Sequence, residues 1–266
     1  MKIIRQLLAA FSMYTRIPMP HFELKDEETS GVIMFLPLIG AIVGGLDFIV
    51  IRILSKQPVN VSFKALIAIG VPLIITGGFH VDGFMDTVDA LRSYRSKEEK
   101  LEIMKDPHVG AFAITGLATA GLFAAAAFGT VIHLEMTKEI PLFIEAAGIF
   151  VISRSLAALT SLMMKKAKED GMLNAETKDA GTGCAVFVMI QLIAVCILMT
   201  LLNPVYALVI MGTFALFTVF YVIVVNKNFG GVTGDTAGYY ITLGETVAIC
   251  ALAIAALILT GTSAVG

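Results

Sequence analysis

The segment VSFKALIAIGVPLIITGGFHVDGFMDTVDAL, residues 61–91, joins an apolar run to a stretch that carries three aspartates. Residues 61–79 are long and apolar enough to cross a bilayer, and a second apolar run begins near residue 109. Gly77 and Gly78 permit a backbone turn between the apolar and the acidic part. The segment therefore predicts a membrane protein with a cluster of carboxylates at the end of a transmembrane helix.

The composition of the whole chain places it in the membrane class. Of its 266 residues, 57% are hydrophobic and 15% are charged, and the mean hydropathy is +0.87. Soluble domains carry about 25% charged residues. A net charge of −2 gives no reason to expect a nucleic-acid partner. The three cysteines lie in apolar runs without metal-ligand spacing, so we interpret them as buried side chains.

Repeated apolar runs predict an all-α fold, a polytopic membrane helix bundle that forms a single domain over residues 1–266. About seven transmembrane helices are expected, with membrane lipids as their surroundings. Residues 1–16 alternate basic and apolar side chains and predict an amphipathic helix at the membrane surface. The predicted spans are residues 31–54, 61–79, 109–132, 140–164, 184–202, 204–225 and 244–262.

The Lys and Arg residues indicate how the bundle is oriented. If the N-terminus is cytosolic, the predicted loops 80–108, 165–183 and 226–243 all face the cytosol and carry most of the positive charge. Only four basic residues then lie on the outside. The positive-inside rule therefore predicts a multi-pass protein of a bacterial or archaeal cytoplasmic membrane with cytosolic functional loops. The four outside residues are Arg52, Lys56, Lys64 and Lys138.

Asp82, Asp86 and Asp89 are the first candidate site. On a helix their spacing of four and three residues places all three on one face, within about 60° of one another. Like charges on one face repel each other, and a divalent cation would relieve that repulsion. Mg²⁺ accepts carboxylate, water and phosphate oxygens. The alternative explanation is that the aspartates are solvated side chains at the start of a helix, but this accounts for only one or two of the three.

The sequence GGVTGDTAG, residues 230–238, is the second candidate site. Backbone rich in glycine presents N–H groups to phosphate oxygens, so Gly231 and Gly234 are candidate phosphate-binding residues. Asp235 is a candidate fourth metal ligand, and we expect this segment to fold back against Asp82–Asp89. An ordinary connecting loop is the alternative.

Three further residues are candidates for binding substrate phosphate. Lys105 and Asp106 crowd against the start of the third span, where a structural turn is an equally good explanation. Arg154 lies within the fourth span and needs a partner there, because a buried guanidinium is costly in a membrane. That partner is either an acidic side chain, with Asp47 as the candidate, or a substrate phosphate.

The motifs together resemble those of the adenosylcobinamide-GDP ribazoletransferases, also called cobalamin synthases. The segments that carry this resemblance are GGFHVDGFMDTVDAL (77–91), KLEIMKDPHVGAF (100–112) and GGVTGDTAGYY (230–240), with TRIPMP (15–20) and FLPLIGAIVGG (35–45) before them. The resemblance runs along nearly the whole chain, in order. It departs from the family pattern at Ala90, where a glycine is usual, and this change removes no candidate ligand.

The resemblance implies the last step of nucleotide-loop assembly in vitamin B12 synthesis. A ribose hydroxyl of α-ribazole, or of its 5′-phosphate, attacks the phosphorus attached to adenosylcobinamide, and GMP leaves adenosylcobinamide-GDP. It also implies a requirement for Mg²⁺, held by Asp82, Asp86, Asp89 and Asp235. His80 or one carboxylate would take the hydroxyl proton. The sequence leaves association into a homo-oligomer open.

Two other functions fit parts of the pattern. An alcohol phosphatidyltransferase of phospholipid synthesis performs the same displacement on a cytidine diphosphate anhydride, but its usual aspartate pattern is not matched here. A cation-coupled transporter would also place acids in a helix bundle, although it should bury them at mid-membrane. Here the acids concentrate in the predicted loops.

Overall fold

The computed structural model describes residues 2–20, 26–168, 171–178 and 180–262, and the all-α prediction is confirmed. A 3₁₀ turn at Val32–Phe35 leads into the third helix. The helices are α1 (Lys2–Tyr14), α2 (Asp26–Thr29), α3 (Leu36–Ser55), α4 (Val61–Thr76), α5 (Phe79–Arg92), α6 (Lys97–Ile103), α7 (Ala111–Lys138), α8 (Leu142–Met163), α9 (Met172–Thr177), α10 (Thr182–Leu202), α11 (Pro204–Phe229) and α12 (Gly234–Thr262).

The prediction of about seven transmembrane helices is confirmed as well. In the described part of the chain, six helices are long and apolar enough to cross a membrane, and the bent pair α4–α5 makes a seventh candidate. The bend between α4 and α5 is 98°. Gly77 and Gly78 cause it, because both adopt left-handed backbone conformations, with φ of 63° and 77°. We treat α4 as the membrane-spanning part and α5 as lying outside the spans.

Two of the predicted loops are shorter than expected. Residues 80–108 contain α5 and α6, and the expected loop 226–243 shrinks to residues 230–233. Gly230, with φ of 76°, ends α11. The next helix begins ten residues early because Thr233 and Thr236 cap it reciprocally, each side chain accepting the other's backbone N–H at 3.1 and 2.9 Å. The polar residues between 234 and 243 therefore belong to a helix.

The expected cytosolic segments do meet at one end of the bundle. Lys97 Nζ donates to the carbonyl of Asn226 at 3.2 Å, and Lys168 Nζ donates to the carbonyl of Leu101 at 3.3 Å. A short parallel bridge joins Lys166 to Val232. Lys64, one of the four basic residues assigned to the opposite side, lies in the first turns of α4 after the cap at Asn60, and its side chain is buried.

Helices α3 and α8 pack at unusually short range, and glycine makes this possible. A Cβ atom added at Gly40 would lie 2.3 Å from the carbonyl oxygen of Phe150, and one at Gly44 would lie 2.4 Å from that of Ala147. Small residues at helix crossings let backbones approach closely in membrane proteins. These contacts form the centre of the bundle beneath the candidate site.

Helix α1, the expected amphipathic helix, is attached to the bundle by buried polar contacts. The Tyr14 hydroxyl donates to Glu176 of α9 at 2.7 Å, and Gln6 donates to the carbonyl of Ser30. Tyr14 also stacks on His80 of α5, with ring centroids 6.1 Å apart. On its other face, Ile3 and Ile4 are exposed. The N-terminal helix thus supports the first turn of α5.

We expect Glu176 to make the stability of the protein pH-dependent. Burial raises the pKa of its carboxyl from 4.5 to about 7, and the hydrogen bond from Tyr14 opposes that rise. A raised folded-state pKa favours the folded state at low pH, and this contribution is lost as the pH rises from 4.5 to 7. The loss amounts to at most about 3 kcal/mol.

Glu176→Gln keeps an acceptor for Tyr14 but removes the ionisable group. Between pH 5 and pH 8, the thermal transition of the wild type in detergent should fall by several degrees relative to that of this variant. Exposed Glu98→Gln is the control and should follow the wild type. If the thermal transitions of the wild type and Glu176→Gln change with pH in parallel, Glu176 is not the source of the pH dependence.

Candidate active site

The candidate site forms where α5 crosses the first turns of α12. A Cβ at Gly83 would lie 2.7 Å from the Cα of Asp235, and a Cβ at Gly238 would lie 2.6 Å from the carbonyl oxygen of His80. Neither helix could carry a larger residue at its contact point without moving. The two backbones therefore touch, and the expected packing of residues 230–238 against the aspartate helix is observed.

This crossing gathers negative charge around Asp86. Burial, followed by the charges of Asp82, Asp235 and Asp89, raises the pKa of the Asp86 carboxyl from 3.8 to about 6. Asp82 is exposed, whereas Asp86, Asp89 and Asp235 are partly buried. The cluster is accessible from the aqueous side, and its mutual repulsion favours a cation among the carboxylates.

Asp89 has a structural task in addition to any ligand role. Its Oδ1 accepts the backbone N–H of Ala113 at 3.3 Å, in the first turn of α7. Gly110 makes room for this contact, since a Cβ there would lie 1.8 Å from Oδ2 of Asp89. A carboxylate at a helix N-terminus stabilises the helix. Asp89 thus fixes α7 against α5.

The remaining carboxylates suit Mg²⁺ as donors. Within the described ranges, no three His, Cys, Asp or Glu side chains are arranged as a ready-made metal cage. Mg²⁺ commonly uses one or two carboxylates and fills its other positions with water and substrate phosphate. Asp82, Asp86 and Asp235 fit such an open site. Burial, and then the charges of Asp82, Asp235 and Asp89, raise the pKa of Asp86, and no basic side chain is among the causes of that rise.

The two candidate phosphate-binding glycines of the second motif have different surroundings. Gly231 is buried, and a Cβ there would lie 2.4 Å from the carbonyl oxygen of Lys165. Its small size permits the pairing of Val232 with the backbone at Lys165 and Ala167. Gly234 is exposed, with no atom within 4 Å of its Cβ position. Gly234 is thus the more accessible of the two glycines.

Lys105 and Asp106 form a local turn. Lys105 Nζ contacts Glu102 at 2.7 Å, and Oδ1 of Asp106 accepts the backbone N–H of His108 at 2.9 Å. Both side chains are exposed. Of the two explanations that the sequence left open, these contacts favour the structural turn.

Lys168 was missed by the sequence analysis. It lines a cavity of about 160 Å³ together with Asp235, Thr233, Gly234 and Asn174. The mixed charges of the segment around it gave no signal that this lysine differs from its neighbours. Its ammonium lies beside the carboxylate cluster and is well placed to meet an anionic group that binds there.

Arg154 is paired with Glu245, not with Asp47 and not with an open anion site. Arg154 is 2% exposed, and its Nη1 donates to Glu245 of α12 and to the carbonyl of Phe150. Asp47 is also buried, but its Oδ1 has no partner among the described residues. Glu245 could have been suspected, because it is an isolated acid in a span that begins at residue 244.

Comparison with known families agrees with the geometry. A family model described as cobalamin-5-phosphate synthase matches residues 6–253. The chain belongs to this family. The match includes α5, the 230–238 segment and the helices that support them, so the candidate site lies within the matched residues.

Curated relatives cover nearly the same length. A protein of Lachnoclostridium phytofermentans named adenosylcobinamide-GDP ribazoletransferase is 37% identical over 96% of this chain and 95% of its own. Proteins with the same name from Clostridium perfringens and Shigella dysenteriae are 34% and 33% identical, over 91% and 92% of this chain and 95% and 97% of theirs. No solved structure matches the chain.

We expect the Gly83→Ala substitution to disrupt the candidate site, although it adds only one methyl group. The added methyl meets the backbone of Asp235, which cannot move as a flexible side chain does. Overpacking of this kind costs about 1–3 kcal/mol and separates α5 from α12. Activity of the purified variant should fall at least tenfold, with a lowered thermal transition. Gly45→Ala in α3 is the matched control, since no atom lies within 4 Å of its Cβ position. Wild-type activity in the Gly83→Ala variant would show that the close contact of α5 with α12 is not needed for activity.

Proposed function

We propose that this multi-pass membrane protein is an adenosylcobinamide-GDP ribazoletransferase. The observation that carries the proposal is the crossing of Gly83 and Gly238, which brings three aspartates of α5 next to Asp235. Family membership and the names of the relatives supply the reaction. The substrates are then adenosylcobinamide-GDP and α-ribazole or its phosphate, and the products are GMP and a cobalamin.

The reaction is a displacement at phosphorus. An oxygen of the ribose hydroxyl forms a bond to the phosphorus that carries the cobinamide, and the bond from that phosphorus to the bridging oxygen of GMP breaks. The hydroxyl proton passes to a carboxylate of the cluster. Lys168, beside Asp235, would hold the negative charge of the pyrophosphate.

Mg²⁺ is the proposed cofactor, held by Asp82, Asp86 and Asp235. When bound, it would neutralise the pyrophosphate oxygens and stabilise the departing GMP. The accumulated charge around Asp86 supports this proposal. Asp89 stays at the N-terminus of α7 and contributes to the same negative field. His80, which the sequence suggested as a base, is buried on the opposite side of α5 from this exposed cluster.

Asp82→Asn and Asp86→Asn should each lower turnover at least a hundredfold, because each removes a charged ligand while keeping the side-chain size. The measurement is GMP release from adenosylcobinamide-GDP and α-ribazole by purified protein at limiting Mg²⁺. Removal of Mg²⁺ with EDTA should stop the wild-type reaction, and excess Mg²⁺ should restore it.

Exposed Glu98→Gln is the control for the loss of a negative charge, and it should retain wild-type turnover. Unchanged thermal transitions of the two asparagine variants would show that they are folded. If Asp86→Asn turns over normally at limiting Mg²⁺, Asp86 is not a ligand. Turnover that survives EDTA would refute the metal requirement altogether.

The proposed orientation places the site in the cytosol, at the cytoplasmic membrane. Single cysteines at exposed Ser96 and Lys227 should react with a membrane-impermeant thiol reagent only from the cytosolic side. Cysteines at exposed Lys56 and Lys138 should react only from outside. The native cysteines are first replaced by alanine. Labelling of Ser96 and Lys227 from opposite sides would separate α5 from α12 and contradict the fold.

A further inference from the structure

The cavity that Lys168 lines lies between α9 and the first turn of α12, and it adjoins the carboxylate cluster at Asp235. Its volume is about 160 Å³, and none of its described lining residues belongs to α5. Asp235 is therefore the one aspartate that the cavity and the cluster share. The proposed reaction gives Lys168 a role toward the pyrophosphate as a whole and leaves open on which side of the phosphorus GMP departs.

The positive charge of this cavity comes from a short extended segment that follows α8. Val232 N–H donates to the carbonyl of Lys165 at 2.9 Å, and Ala167 N–H donates to the carbonyl of Val232 at 3.0 Å. Alternate residues of an extended chain point to the same side, so Lys166 and Lys168 both line the cavity, whereas exposed Lys165 does not. The backbone pairing therefore brings two lysine side chains to one wall.

Both ammonium groups are held in place and still have hydrogen-bond donors to offer. Lys166 Nζ donates to the carbonyls of Ser161 and Met164 at the end of α8, and Lys168 Nζ donates to the carbonyl of Leu101. An ammonium group has three N–H donors. One N–H of Lys166 and two of Lys168 thus have no partner among the described residues. These donors are able to bind an anion that enters the cavity.

The charge of the cavity has the opposite sign to that of α5. Asp235 is the only acid among the described residues that line the cavity, so two lysines and one aspartate leave a net positive charge. The first turn of α12 adds the positive end of a 29-residue helix. Helix α5, by contrast, carries three aspartates. The surroundings of Asp235 are therefore negative toward α5 and positive toward α9.

A displacement at phosphorus needs different charges on its two sides. The attacking and the leaving oxygen lie roughly in line, with the phosphorus between them. The hydroxyl oxygen of the ribose bonds to the phosphorus and gives its proton to a carboxylate. The electron pair of the breaking bond stays on the bridging oxygen, so the phosphate of GMP gains negative charge. Carboxylates therefore suit the attacking side, and cations suit the leaving side.

We infer that the cavity between α9 and α12 binds the phosphate of the leaving GMP, with Lys166 and Lys168 as its cationic ligands. The inference rests on the proposed function and orients the substrates within it: the ribose hydroxyl approaches from α5, and GMP departs toward α9. A cavity of about 150 Å³ can hold benzene, so a volume of about 160 Å³ admits a phosphate group but not a whole nucleotide. The guanosine therefore extends outward past exposed Gly234.

Lys166→Gln and Lys168→Gln test the inference through GMP binding without turnover. In equilibrium dialysis at saturating Mg²⁺, each variant should bind GMP at least tenfold more weakly than the wild type, the scale of one hydrogen bond to a charged group. Guanosine, which lacks the phosphate, should bind the wild type and both variants alike. Lys165→Gln is the matched control and should bind GMP within twofold of the wild type, since exposed Lys165 does not line the cavity.

The 5′-phosphate of the ribazole acceptor is the other phosphate of suitable size, and turnover distinguishes it from GMP. In both lysine variants GMP should inhibit at least tenfold less strongly. The ratio of kcat/KM for α-ribazole 5′-phosphate to that for α-ribazole should stay within twofold of the wild-type ratio. A changed ratio with unchanged GMP inhibition would place the acceptor phosphate in the cavity and overturn the inference.

A second pair of variants keeps the test valid if Lys166→Gln does not fold after losing its contacts to α8. Met172 lines the opposite wall of the cavity and is exposed, so Met172→Glu adds a negative charge without removing a hydrogen bond. This variant should bind GMP at least tenfold more weakly than the wild type. Met172→Gln is its neutral control and should stay within twofold.

The outcomes separate this inference from the proposed function. Unchanged GMP binding in folded Lys168→Gln and Met172→Glu would overturn the inference, as would a wild type that turns over both substrates but binds no GMP at millimolar concentration. Absence of wild-type turnover with both substrates would instead overturn the proposed function. Dialysis with GMP, which needs no turnover, then still decides whether the cavity binds its phosphate.

Discussion

The backbone contact between α5 and α12 at Gly83 and Gly238 is the constraint on which the candidate site depends. It sets the distance between carboxylates that are about 150 residues apart in the chain, and it leaves no space for a Cβ atom at either position. Helix α12 can reach α5 only because Thr233 and Thr236 start it early, directly after a four-residue connection. The placement of the carboxylates therefore depends on two glycines as well as on the acidic residues themselves.

Because this contact brings carboxylates together, it also creates electrostatic repulsion, which destabilises the protein when no cation is bound. Four carboxylates share one region, and the effect is concentrated on Asp86. Stability given up in this way is common at functional sites, where a bound ligand offsets it. Elsewhere in the bundle, the Arg154–Glu245 pair joins α8 to α12, and glycine contacts join α3 to α8.

Much of this architecture could be predicted from the sequence, because hydrophobic runs fix which helices enter a membrane. The spacing of Asp82, Asp86 and Asp89 likewise identified the acidic face. Long-range pairing could not be predicted in the same way. Glu245 replaced Asp47 as the partner of Arg154, since several helix arrangements satisfy the same hydropathy. Gly231 packs against the backbone at Lys165, and sequence alone does not distinguish a glycine needed for packing from one that binds phosphate.

The shortness of α4 has a consequence for the membrane around the site. Its 16 residues span about 24 Å at 1.5 Å per residue, whereas the hydrocarbon core of a bilayer is about 30 Å thick. Helix α5 then turns through 98° before the full thickness has been crossed. A span this short is therefore expected to thin the bilayer around it, which would place the acidic face a few ångströms below the surrounding headgroups. A lipid composition that thickens the bilayer is then expected to slow the access of water-soluble substrates to this face.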